Sequence, residues 1–185
     1  MLILVRHAMP TYRRDAQPHE WQLSEDGRAA AAVLARLLPA GARLVGSAEP
    51  KAWQTLEPAG PVHDRDARFN EVSRTGEPWG GDFQVWRRTY VSGTDHPGWE
   101  PRAQVAARFN AGVTDQLAAA RDGALVVASH GMAMTIWLTA RFGLNDPGEF
   151  WAGLRFPDAH LVDLRTETIR RLAGAGAIGG TDATG

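Results

Sequence analysis

The chain contains no cysteine, carries almost no net charge and has no long apolar run. The lack of cysteine excludes thiol nucleophiles, thiolate metal sites and disulfides. A formal net charge of −1 gives no global field toward nucleic acid or anionic lipid, so neither is expected as a partner. No stretch approaches the roughly 20 apolar residues that span a bilayer. Met1 to Val5 is too short for the apolar region of a signal peptide. We therefore expect a cytoplasmic protein.

The chain does have the composition of an ordinary globular protein. Its 185 residues are 44% hydrophobic and 22% charged, which suits one domain with a buried core. Apolar runs at 2–5, 43–46 and 124–128 indicate strands, and helical patterns separate them. This alternation predicts a three-layer α/β/α sandwich with a largely parallel central sheet.

Local signals give approximate bounds for the other elements. Ser24 has the position of a helix N-cap, and Gly143 that of a helix C′ residue. The segment 74–101 is mostly irregular, which in a compact domain favours a functional role, and the Gly/Ala-rich end, 173–185, is predicted to be disordered. We predict helices at 25–38, 51–57, 83–90, 102–120 and 132–142, a strand at 62–68, and a hairpin formed by 160–164 and 168–172.

Two segments share one design, in which a buried strand ends in a histidine. The run 2–5 is followed by Arg6-His7-Ala8, and the run 125–128 is followed by Ser129-His130-Gly131. If both strands belong to one parallel sheet, both imidazoles lie at its carboxyl edge, where open α/β folds bind ligands.

The residues around these histidines suit a phosphate group. Arg6 offers a planar fork of donors, His130 precedes a helix N-terminus, and Lys51 begins another helix. His7 lies between them, and a neutral imidazole is a competent nucleophile toward phosphorus. Glu71, after the predicted strand at 62–68, can protonate the leaving oxygen and then deprotonate the attacking water.

These residues stand in motifs that resemble those of the histidine phosphatase superfamily, which includes the phosphoglycerate mutases. Arg6-His7-Ala8 resembles its Arg-His-Gly signature, and Ser129-His130-Gly131 resembles its second histidine motif. Between them, the segments 23–27, 47–55 and 68–71 resemble its Leu-Thr-x-x-Gly helix start, its Ser-Ser-Pro-Leu-x-Arg-Ala-x-Gln-Thr stretch and its Leu-x-Glu step. Five matches in family order form a specific signal.

The resemblance implies a single phosphoglycerate mutase-like domain over 1–172 and a metal-independent phosphomonoesterase without a cofactor. His7 would be transiently phosphorylated, and Arg6, Lys51 and His130 would hold the phosphoryl oxygens. Glu71 would be the proton donor. The implied substrate is a small phosphorylated metabolite or a phosphoprotein.

The chain also departs from the family pattern. Ala8 replaces the signature glycine, Lys51 stands where arginine is usual, and Arg13 lies where mutase-like members often have asparagine. An ammonium is a point charge rather than a bidentate fork, so Lys51 would hold phosphate less tightly. Alternative functions are phosphoryl transfer as in the mutases, a phosphate-binding module with little catalysis, and a metal-dependent hydrolase.

Two further clusters have simpler interpretations. His63 and Asp64 would point to opposite faces of a strand, which argues against a metal site there. Arg87 and Arg88 can contact substrate, although a solvated helical face is the simpler interpretation.

Overall fold

Strands from both ends of the chain form a single sheet. The computed structural model describes residues 1–77 and 82–172; the predicted tail at 173–185 lies outside the described residues. In the described part, the sheet has the order β3-β2-β4-β1-β5-β6. The first four strands in this order are parallel, and the last two form an antiparallel hairpin on the edge. The strands are β1 (Leu2–Arg6), β2 (Arg43–Gly46), β3 (Asp64–Arg65), β4 (Leu125–Ser129), β5 (Asp158–Asp163) and β6 (Thr168–Arg171).

The helices follow the predicted pattern with two differences. The predicted first helix ends at Ala35, three residues early. The short helix α6 was not predicted, because six residues are too few for a helical period; Asp146 caps it by accepting the Glu149 N–H at 2.8 Å. The helices are α1 (Glu25–Ala35), α2 (Pro50–Leu56), α3 (Phe83–Val91), α4 (Arg102–Ala120), α5 (Gly131–Phe142) and α6 (Pro147–Ala152), and 3₁₀ turns lie at Pro18–Glu20, Glu57–Ala59 and Ala67–Phe69.

Alternate residues of the central strands face two separate cores. Leu4 of β1 packs with α4 and α5 through Phe109 and Trp137. Val5, the next residue, belongs to the opposite core, which α1 and α2 complete through residues such as Leu56. The period of two along a strand thus produces helices on both faces. The predicted three-layer α/β/α architecture with a largely parallel sheet is confirmed.

The predicted strand at 62–68 is wrong over most of its length. Only Asp64 and Arg65 pair with β2. The Asp66 side chain accepts the Arg68 N–H at 2.9 Å and caps the 3₁₀ turn at Ala67–Phe69. An aspartate that bonds to the backbone two residues ahead competes with strand pairing, and here the turn prevails.

The matched segment 23–27 allows two stretches of backbone to pack closely. Ser24 caps α1 by accepting the Gly27 N–H at 3.0 Å, and it donates to the Met9 carbonyl at 3.1 Å. A Cβ on Gly27 would lie 2.1 Å from that same oxygen. The glycine therefore lets α1 approach the segment that follows His7.

No helix in the described ranges is both long enough and apolar enough to cross a membrane.

Candidate active site

The two strand-end histidines lie side by side at the carboxyl edge of the sheet. Strands β1 and β4 are parallel neighbours with Arg6 opposite Ser129. The His7 N–H continues the ladder by donating to the Ser129 carbonyl at 3.0 Å. The ring centroids of His7 and His130 are consequently 5.0 Å apart.

His7 is held with one ring nitrogen available. Its Nδ1–H donates to the Ala8 carbonyl at 2.7 Å, so the neutral ring carries its lone pair on Nε2. The Ala8 N–H in turn donates to Thr55 Oγ1 at 2.9 Å, which fixes this segment against α2. Burial holds the pKa of His7 well below its usual value, and the neighbouring His130 and Lys51 lower it further. The ring is therefore neutral at physiological pH.

Arg6 lies beside His7, and part of its guanidinium fork has no hydrogen-bond partner in the described residues. Its Nη1 donates to the Leu154 carbonyl at 2.8 Å, and its guanidinium stacks on Phe156. Burial lowers the pKa of Arg6 to about 10, which still leaves it charged at neutral pH. Within the described residues its buried Nε has no hydrogen-bond partner. That N–H can serve a ligand.

His130 is fully buried and its orientation is fixed by a chain of hydrogen bonds. Asn70 Oδ1 accepts the Ala48 N–H at 2.9 Å and the Ser47 hydroxyl at 2.8 Å. Because the single Ser47 proton is used there, His130 Nε2 must donate to Ser47 Oγ, at 2.9 Å. The other ring nitrogen, Nδ1, has no partner in the described part of the chain. Burial, followed by Lys51, lowers the pKa of His130 well below its usual value.

Lys51 forms a buried ion pair with a residue that the sequence analysis did not select. Its Nζ lies 2.5 Å from Glu49 Oε2 and donates to the Pro18 carbonyl at 2.7 Å. Each of the two side chains is only 7% exposed. The other oxygen of Glu49 accepts the Glu71 N–H at 2.7 Å and lies 3.6 Å from His130 Nε2.

Glu71 lies at the N-terminus of α5, the helix that follows His130. Its carboxylate accepts the N–H groups of Ala133 at 3.0 Å and Met132 at 3.3 Å. The segment that carries it is held by Arg108, which donates to the Arg68, Asn70 and Glu71 carbonyls at 2.7, 2.9 and 3.3 Å. The N–H groups of α5 thus hold the Glu71 carboxylate, and the Arg108 side chain holds the backbone that carries it.

The structure therefore brings together Arg6, His7, Lys51, Glu71 and His130, which come from four separate segments. Sequence reasoning missed the residues that hold them. Glu49 had a detectable signal, because an acidic residue stands two positions before an unusual lysine in the matched stretch. Phe156 and Arg108 had none, since both are remote from the motifs.

The other two clusters have structural roles. His63 accepts the Leu44 N–H on its Nδ1 at 3.1 Å. In the described ranges, no group of three His, Asp or Glu side chains is placed to hold a metal ion. Arg87 is only partly exposed and pairs with the partly buried Glu77, so the fully solvated helical face is not what the structure shows for it. Arg88 is about half exposed and pairs with Glu149.

Comparison with known proteins identifies the family and the fold. Residues 2–171 match the family model of the histidine phosphatase superfamily, branch 1. A search of curated protein sequences gives no match. Among solved structures, the mycobacterial glucosyl-3-phosphoglycerate phosphatase is similar with 22% identity and a TM-score of 0.67, over 92% of this chain and 95% of that chain. YhfR from Bacillus stearothermophilus is similar with 20% identity and a TM-score of 0.67, over 96% and 97%.

Identities this low establish a common fold and not a common substrate. The family match covers nearly the whole chain and supports phosphoryl-transfer chemistry in general terms. The chain belongs to branch 1 of the histidine phosphatase superfamily.

Proposed function

We propose that this protein hydrolyses phosphomonoesters through a phosphohistidine at His7. The observation that carries the proposal is the hydrogen bond from His7 Nδ1 to the Ala8 carbonyl. It leaves Nε2 with a lone pair on a buried ring whose lowered pKa keeps it neutral, and such a ring is a nucleophile at physiological pH.

In the first step, the Nε2 lone pair attacks phosphorus and the bond from phosphorus to the leaving oxygen breaks. Glu71, in its protonated form, gives its proton to that oxygen, so an alcohol departs. In the second step, water attacks the phosphohistidine while the Glu71 carboxylate takes a proton from it. Inorganic phosphate and free His7 result, and Glu71 is protonated again.

Two nitrogens without a hydrogen-bond partner in the described residues, one on Arg6 and one on His130, are available to bind phosphoryl oxygens. Arg6 Nε carries a hydrogen and has no partner in the described residues. His130 donates its Nε2–H to Ser47, so its Nδ1 can donate to an oxygen only when the ring takes up a second proton. A bound phosphate dianion favours that protonation. The resulting His130 cation would stabilise the negative charge that develops on the phosphoryl oxygens in the transition state.

The substrate class is a small phosphorylated metabolite or a phosphoprotein. The mycobacterial relative is described as acting on glucosyl-3-phosphoglycerate and has been solved with VO3. Its low identity leaves the substrate of this chain to be measured, by turnover of a panel of phosphomonoesters.

The mechanism is tested by trapping the phosphoenzyme. Wild-type protein quenched during turnover of a ³²P-labelled aryl phosphate should carry label that is acid-labile and stable in base. His7→Ala should carry none, and the matched control His63→Ala should label as the wild type does. Label that persists in His7→Ala would refute the proposal. Isomerisation of phosphoglycerate faster than its hydrolysis would identify a mutase, and phosphate binding without turnover would identify a binding module.

A further inference from the structure

We propose that Glu49 sets the strength of phosphate binding at this site by cancelling the charge of Lys51 and occupying one of its protons. The inference rests on the proposed function, since it concerns the same pocket. It assigns a positioning and charge-balancing role to a residue of the matched stretch 47–55 to which the family resemblance gives no role.

The donors of Lys51 can be counted. An ammonium group has three N–H bonds. One goes to Glu49 Oε2 at 2.5 Å and one to the Pro18 carbonyl at 2.7 Å. Only one therefore remains for a phosphoryl oxygen, whereas an arginine at this position would have five donors to divide.

Glu49 also lowers the positive charge beside His7 before a ligand binds. Arg6 and Lys51 are cationic, both histidines are neutral, and the Glu49 carboxylate offsets the charge of Lys51. A phosphate dianion entering this pocket therefore meets less positive charge than Arg6 and Lys51 alone would provide. The other Glu49 oxygen lies 3.6 Å from His130 Nε2, so Glu49 lies against both Lys51 and His130, the two side chains from separate segments that are proposed to hold phosphoryl oxygens.

A Glu49 carboxylate thus has two opposite effects. It fixes Lys51 at the pocket wall and anchors the Glu71 N–H, which favours a preorganised site. It also repels the phosphoryl group, which favours release of the phosphate product. A purely structural residue would have only the first effect, and its loss could only weaken binding.

The test is a charge cycle on Glu49 and Lys51, read as the inhibition constant of inorganic phosphate against an aryl phosphate and as phosphate binding by calorimetry. Glu49→Gln keeps an oxygen for the Glu71 N–H but removes the charge. We expect its phosphate inhibition constant to fall about tenfold, with a lower kcat because phosphate leaves more slowly. Glu57→Gln, an exposed carboxylate at the end of α2, is the matched control and should behave as wild type.

The second half of the cycle does not depend on the stability of Glu49→Gln. Lys51→Met leaves Glu49 unpaired in the pocket, and phosphate binding should weaken about a hundredfold. Adding Glu49→Gln to Lys51→Met should restore binding to within about tenfold of wild type. Equal or weaker phosphate binding in Glu49→Gln, or no rescue in the double variant, would overturn the inference.

Failure of the two proposals can be told apart. A wild-type protein that neither hydrolyses aryl phosphate nor binds phosphate contradicts the proposed function itself. A wild type that does both, with a charge cycle that shows no tightening and no rescue, contradicts only the role of Glu49.

Discussion

The guanidinium carbon of Arg6 lies 3.6 Å from the centre of the Phe156 ring. The same ring lies 5.3 Å, centroid to centroid, from His7. One aromatic side chain from the loop between α6 and β5 therefore supports both residues at the end of β1. Because the partly buried Arg6 side chain makes one hydrogen bond in the described residues, to the Leu154 carbonyl, we expect this stacking to help fix its orientation.

Phe156→Leu should lower kcat/KM about tenfold, because a buried contact between a cation and a ring contributes on the order of 1–2 kcal/mol. The leucine fills much of the volume but offers no ring face. The measurement is steady-state hydrolysis of an aryl phosphate. Phe142→Leu, at the far end of α5, removes a ring that packs on Trp137 and serves as the control. An unchanged kcat/KM in Phe156→Leu would show that Arg6 holds its position without the ring.

The position of both histidines at one sheet edge was predictable from strand patterning. Buried runs before His7 and His130 indicate strands, and the carboxyl ends of parallel strands in one sheet lie at the same edge. The structure adds that β1 and β4 are direct neighbours, and their register sets the two rings side by side. Periodicity within each run predicts the edge, but it does not predict the pairing of two strands that are far apart in the chain.

The support of the site could not be predicted in this way. The position of Glu49 two residues before Lys51 is visible in the sequence, but only the folded chain shows that the two side chains form a buried ion pair. Phe156 and Arg108 reach the site from elements that are distant in sequence. The strand predicted at 62–68 was wrong for a local reason, since the Asp66 side chain accepts the Arg68 N–H and stabilises a turn in place of an extended strand.

Gly131→Ala should impair activity without destabilising the fold. Gly131 opens α5, and a Cβ there would lie 3.1 Å from Trp151 Nε1 and 3.3 Å from Arg6 Nε, one of the unused donors. Both neighbours are side-chain atoms that can give way by a few tenths of an ångström, so we expect the fold to tolerate alanine while Arg6 is displaced. We expect a KM about tenfold higher and a thermal midpoint within about 3 °C of wild type. Normal KM would mean that Arg6 Nε does not bind the substrate.

Arg108→Met should lower kcat more than it raises KM. Arg108 donates to three carbonyls of the segment that carries Glu71, and it pairs with Glu100 at 2.7 Å. Its loss should cost about 2 kcal/mol of stability and let the proton donor move, while the phosphate ligands stay in place. We expect kcat to fall about tenfold with KM within about twofold.

The control for Arg108 lies on the same helix. Arg102 pairs with Asp95 in a partly exposed ion pair, which contributes at most about 1 kcal/mol. Arg102→Met should keep a normal kcat. Equal losses of kcat in the two variants would mean that Arg108 affects activity through global stability alone.

Stability should fall as the pH drops below 6.5, because His7 and His130 are buried in their neutral form. Both have a pKa in the folded protein well below their usual value. Below pH 6.5 the unfolded chain binds protons at these rings and the folded chain does not, so acid favours unfolding. Each histidine contributes a slope of up to about 1.4 kcal/mol per pH unit, and above pH 6.5 the slope vanishes.

Urea titrations of the ligand-free protein between pH 7.5 and 5.0 measure this change in the free energy of unfolding. His130→Asn should remove about one proton from this linkage, because only one of the two buried rings then remains. A free energy of unfolding that stays constant from pH 6.5 to 5.0 would contradict the neutral, buried state of the two rings on which the nucleophilic role of His7 depends.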